Sequence, residues 1–151
     1  MTRLEWSIEG EKQLSRRLRG LENDIKDFSP AFKKSASKLK SIFSREVFSS
    51  RGQVIGEKWK RLSPYTVAQK ARQGFPSDPL VRTGKMKNSF TTKYGPREAT
   101  ISNTAEYFKY HQSNKPRSRI PRRVMMKLGN NQKEMVVKEF QNYIRKILAK
   151  K

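Results

Sequence analysis

His111 is the only histidine of the chain, and it opens a stretch, HQSNKPRSRIPRR, in which Arg117, Arg119, Arg122 and Arg123 are grouped around Pro116 and Pro121. An imidazole titrates near neutral pH, so beside a hydroxyl it could serve as the general base of a nucleophilic serine. Ser113 is the candidate at hand, yet no serine of the chain sits in the glycine pattern of a nucleophile elbow. A nuclease would instead use His111 with a metal. Metal-assisted hydrolysis needs two or three carboxylates or histidines converging on one ion, and the only carboxylate close in sequence to His111 is Glu106. GQVIGEKW, residues 52–59, has two glycines but neither the lysine-serine ending nor the preceding strand of a phosphate loop. The chain has no cysteine, which removes thiol catalysis, thiolate metal sites and disulfides. No catalytic residue, metal ligand or cofactor site is therefore assigned, and the expectation is a protein without enzymatic activity.

Binding is the remaining chemistry. The chain carries 35 lysines and arginines against 13 acidic residues, a net charge of +22 that repels itself unless a polyanion or an acidic partner offsets it. Between Glu106 and Glu134 there is no acid at all. Lys109, Lys115, Arg117, Arg119 and Lys127 in that interval are the candidate DNA-facing cations, acting on the phosphate backbone. Tyr107, Phe108 and Tyr110 beside Lys109 have the composition of a base-stacking platform, although such aromatics more often pack a core. No helix resembles a duplex-reading module, so contact with DNA would be non-specific.

The elements that must position these residues follow from periodicity. Leu4, Trp6 and Ile8 alternate with polar residues as in a half-buried strand, ended by Gly10. From Glu11 the apolar residues Leu14, Leu18, Leu21, Ile25 and Phe28 fall on one helical stripe. Ser29 and Pro30 predict the capped start of a second helix, with Phe32, Ala36, Leu39, Phe43 and Val47 on its apolar face. Residues 49–62 read as a mobile loop ending at Trp59 and Leu62. Ser63 and Pro64 repeat the cap signal for a short helix reaching about Arg72. Thr83 is expected to cap a brief turn through Met86. Ser89 to Tyr94 and the alternation at Ala99 and Ile101 predict a hairpin with a loop of about four residues. A short helix is expected within Thr104 to Gln112, and a second mobile, exposed loop over 113–119. Asn131 with Glu134 predicts a capping box ahead of a helix whose stripe is Val137, Phe140, Ile144 and Ile147. The expected fold is α+β, a single domain over 1–151 with amphipathic helices packed on a small antiparallel sheet. No apolar run could span a bilayer and no signal peptide is recognised, so the expected setting is a soluble compartment.

The order of several short motifs resembles the phage virion morphogenesis family of tail completion proteins, which includes the Mu-type morphogenesis protein and head-tail joining or neck proteins. Two amphipathic helices precede Trp59 and LSPYTVAQK, residues 62–70. LVRTGKMKNSF follows, similar to the family pattern through Leu80, Thr83, Gly84, Met86 and Ser89. ISNTAEYFKYHQ is similar to the family segment ending in histidine-glutamine, through Asn103, Tyr107, His111 and Gln112. IPRR matches isoleucine-proline-spacer-arginine through Ile120, Pro121 and Arg123, ahead of the last helix. The chain departs from the pattern at Ser113 and Asn114, where the family usually has glycine.

What the resemblance implies is a structural protein of a bacteriophage or prophage, present in the virion and in the host cytoplasm during assembly. It would join filled heads to finished tails, as a ring of identical subunits in contact with head and tail proteins. His111, Gln112, Arg117, Arg119, Pro121, Arg122 and Arg123 would then belong to a docking loop, in which arginine forks pair with carboxylates of a neighbour. Trp59, Leu80, Thr83, Gly84, Ser89 and Tyr107 would be its structural motif residues. The competing reading is a small basic protein that binds the phosphate backbone of nucleic acid non-specifically.

Overall fold

The computed structural model describes residues 2–7, 27–113 and 121–149. The predicted helical stripe at Leu14, Leu18, Leu21 and Ile25 lies outside the described residues, as do Lys115, Arg117 and Arg119. Three strands form one antiparallel sheet: β1 (Thr2–Ser7), β2 (Phe90–Tyr94) and β3 (Glu98–Asn103), in the order β1-β3-β2. The register pairs Leu4 and Thr92 with Ile101 from either side. Alternation along β3 buries Ala99, Ile101 and Asn103 on the face toward the helices. The hairpin between β2 and β3 has a loop of three residues, 95–97, one fewer than its sequence suggests, because Glu98 is already in the ladder and its carbonyl accepts from Gly95 N–H at 2.9 Å.

Helix α1 (Ser29–Ser41) lies across β2 and β3 and against the last helix. Its start is capped differently from expectation. Ser29 is already helical and Phe28 holds the cap position without a side-chain cap bond, while Asp27 Oδ1, one residue earlier, accepts from Ser29 N–H at 2.9 Å. The apolar stripe Phe32, Ala36, Leu39, Phe43 and Val47 is buried throughout. Its last four-residue step falls in a π-helical turn, Ile42–Glu46, where Val47 N–H bonds Ile42 C=O. The wider turn keeps Phe43 and Val47 on the same side, where about 3.6 residues per turn would begin to rotate them apart. A final turn, α2 (Val47–Ser50), ends at left-handed Arg51.

The segment expected as a loop over 49–62 contains a short 3-10 turn, Gln53–Ile55, and delivers Ile55 and Trp59 to the core. Gly52 makes this path possible. Its φ is 82°, and a Cβ there would stand 1.9 Å from Glu57 O. Helix α3 (Pro64–Arg72) starts where its sequence indicates, with Ser63 Oγ accepting from Thr66 N–H at 3.2 Å. The expected helix within 104–112 is confined to α4 (Phe108–Gln112), since Asn103 is claimed by β3 and Asn103 Oδ1 takes Ala105 N–H.

Helix α5 (Asn130–Ala149) begins one residue before the predicted cap, which puts Asn131 inside the first turn and rules out the Asn131–Glu134 box. Its apolar stripe is also displaced. Phe140 and Ile144 of the predicted stripe do face α1, but Val137 is 53% exposed, and Val136 and Tyr143 are covered instead. Phe32 and Phe140 meet edge to face with centroids 4.8 Å apart. The larger core cluster packs Phe43, Phe90 and Phe108 with Trp59 and Met125. Residues 121–129 run without regular secondary structure and still bury Val124, Met125 and Met126.

Candidate functional site

A cleft of about 540 Å³ opens between α3 and the segment 80–86, with Tyr107 and His111 completing its lining. Leu62 and Lys70, then Leu80, Thr83 and Gly84, and finally Tyr107 and His111 all line it, so residues from three separated sequence motifs meet in one place. Helix α3 has no buried residue, and Thr66, Lys70 and Gln73, spaced four and three apart, face the cleft.

Local backbone chemistry shapes the opposite wall. Gly84 has φ 81° and the residues after it are turned back by Asn88 N–H bonding Gly84 C=O at 2.9 Å. This turn comes one residue later than one capped by Thr83, because the left-handed glycine initiates it. Leu80 also has a positive φ, 61°, a conformation that costs a branched side chain about 1 kcal/mol and is kept only where surroundings impose it. Lys70 is one such constraint. Its Nζ donates to Asp78 O and to Val81 O, each at 2.7 Å, and so ties α3 to the wall it faces.

Behind the cleft, the other motif residues act as staples. Asn103 Nδ2 donates to Met86 O at 2.7 Å, and Thr104 N–H to Ser89 O at 3.0 Å, fixing the end of the wall to β3. Gln112 bridges to the irregular segment: its Oε1 accepts from Met125 N–H and Met126 N–H, and its Nε2 donates to Met126 O at 2.6 Å. Trp59 Nε1 donates to Val124 O at 2.7 Å. These side chains satisfy backbone groups that no strand or helix pairs, which is how residues 121–129 can be buried. Arg123 N–H bonds His111 C=O, while its guanidinium donates to Lys60 O at 2.9 Å and Arg61 O at 3.4 Å.

The candidate docking residues therefore divide. Gln112 and Arg123 are bound within the subunit, and Arg123 is only 5% exposed. Arg122 is exposed and Pro121 half-buried, whereas Arg117 and Arg119 lie outside the described residues. Among the candidate DNA-facing cations, Lys109 is exposed beside the Tyr110 ring, and Lys127 Nζ pairs with Glu57 at 2.6 Å. Phe108 is fully buried in the core, as the packing alternative for the aromatic triplet requires, and Tyr107 and Tyr110 stay partly exposed.

Lys70, Arg82 and Lys85 were not singled out by their sequence positions, yet they give the cleft its charge. The polar stripe Thr66–Lys70–Gln73 on a helix with little apolar content was the available signal. Among the described residues no Asp or Glu lines the cleft. Burial lowers the Lys70 pKa; Asp78 partly opposes this, and repulsion from Arg82 and Arg123 adds to it. Burial likewise lowers that of Arg123. Among the described residues no group of three potential metal ligands exists, and no helix is long and apolar enough to cross a membrane. The arrangement offers cations and hydrogen-bond donors to an anion.

A family model, described as the phage virion morphogenesis family, matches residues 10–148. The chain belongs to that family. Searches of curated proteins and of solved structures gave no significant match.

Proposed function

We propose that this morphogenesis protein acts in tail completion and head–tail joining, as a homo-oligomeric ring that contacts head and tail proteins and performs no reaction. Family membership across residues 10–148 carries the reading. The use of the motif residues supports it: Asn103, Gln112, Arg123 and Trp59 are spent on holding a surface in shape, which is what a joining protein needs. Deleting the gene from an inducible phage is expected to leave filled heads and separate tails in electron micrographs, restored by a plasmid copy. Normal virions from the deletion strain would sink the reading, and a strictly monomeric protein at all concentrations in sedimentation would remove the ring.

The net charge of +22 favours a second reading, a monomer whose role is phosphate-backbone binding. In that case duplex affinity would fall steeply with salt and deletion would leave head–tail joining intact.

A further inference from the structure

We infer that the cleft between α3 and residues 80–86 is a docking site for an acidic, partly apolar peptide segment of a partner protein. The inference rests on the morphogenesis reading only for where the partner is found; the ligand chemistry comes from the cleft itself. Lys70, Arg82 and Lys85 converge there with no carboxylate in the lining. Asp78, outside the lining, has its carboxylate 3.5 Å from Arg51. Cations gathered in a partly enclosed space repel one another, and an entering anion removes that repulsion.

Three observations favour a peptide over a nucleic-acid backbone. Leu62, Leu80 and Met86 lie among the cations, so an occupant gains by presenting apolar side chains beside its carboxylates. Lys70 is held by two backbone carbonyls and does not extend outward as a phosphate-tracking lysine does. Gln69, Gln73 and Thr83 add uncharged donors and acceptors suited to a main chain. The described part of a second copy is a poor source. Among the described residues no two exposed acids lie within a few positions of each other, and Glu57, Asp78 and Glu139 are already paired.

The test uses the full chain and a short acetylated, amidated peptide of repeating Leu-Asp-Glu, with a Leu-Asn-Gln peptide and a DNA duplex as comparators. Binding is read by fluorescence anisotropy and by amide shifts at Gln69, Gln73, Thr83 and Gly84. The acidic peptide should bind and shift those amides, the neutral one should not, and the duplex should not displace it from the cleft. Arg82→Glu with Lys85→Glu should weaken binding about tenfold or more. Lys138→Glu with Arg145→Glu, the same charge change on the exposed side of α5, should weaken it less than about threefold. If the first pair disturbs folding, Arg82→Gln with Lys85→Gln gives the same ranking. Equal losses in both pairs, equal binding of the neutral peptide, capture of the cleft by the duplex, or no binding would each overturn the proposal. Because the peptide assay is independent of phage assembly, failure of the cleft and failure of the assembly role are read separately.

Discussion

At the seam of α1 and α5, Lys34 and Lys38 converge on one buried carboxylate, Glu139. At the cleft beside α3, Lys70, Arg82 and Lys85 converge with none among the described lining residues. The seam is also the more apolar place: Phe28, Phe32 and Phe140 pack there, and Tyr143 closes it by donating to Asp27 O at 2.5 Å. Both regions belong to a chain with a large excess of positive charge. Where the fold needs two helices to stay together, it supplies the counter-charge internally. Where cations line a concave surface and only Asp78, outside the lining, offsets part of the Lys70 charge, an anion from outside finds a favourable field.

The comparison can be broken most forcefully at the seam. Phe32→Ala removes a fully buried ring that meets Phe140 edge to face and should cost about 3–5 kcal/mol in urea unfolding. A loss under about 1 kcal/mol would mean that the seam is not a principal source of stability. Next in size is Arg123→Met, behind the cleft. It leaves the Lys60 and Arg61 carbonyls without their donor and should cost about 2 kcal/mol. The same change removes one source of repulsion on Lys70, so the Lys70 pKa measured by NMR should rise. No rise would show that the two cations do not sense each other.

The smallest effect sharpens the contrast in pH. The hydrogen bond from Lys38 holds the Glu139 pKa below the ordinary carboxylate value, with charge attraction to Lys38 and Lys34 adding to it. Its contribution is thus present above the unfolded-state pKa and is lost as pH falls through the lower folded-state value. Glu139→Gln should cost about 1 kcal/mol near neutrality, since both lysines are half exposed, and should flatten the acid limb of a stability-versus-pH curve. Lys70 behaves differently. Its folded-state pKa is lowered, so stability should rise as pH climbs from that value toward the ordinary lysine value. Lys70→Met should abolish this alkaline rise and leave the acid limb unchanged; an unaltered alkaline limb would show that the cleft lysine carries no charge penalty.

Much of the fold was legible in the sequence because it is governed by neighbours in the chain. The stripe of α1, the Ser63–Pro64 start of α3 and the β2–β3 hairpin each depend on spacing over a few residues. Errors arose where a distant contact competed with a local signal. Val137 fits the helical period of α5 as well as Val136 does, and only the position of α1 decides that Val136 is covered. Phe28 takes the cap position of α1 in place of Ser29 because its ring is drawn into the aromatic cluster, which fixes where the helix begins.

The motif residues were recognisable as a set, but their work was not. Gln112 and Arg123 stand in a segment that reads as a polar docking loop, and in the folded chain they bond backbone groups of residues 125–126 and 60–61. By itself the sequence determined the charge, the family pattern and the elements whose hydrogen bonds are local. Only the tertiary structure decided which cations share a cleft and which meet a carboxylate. Lys70 comes from α3, Arg82 and Lys85 from residues 80–86 and His111 from α4, and their convergence is set by side chains that bond across long sequence separations, a quantity no local spacing records.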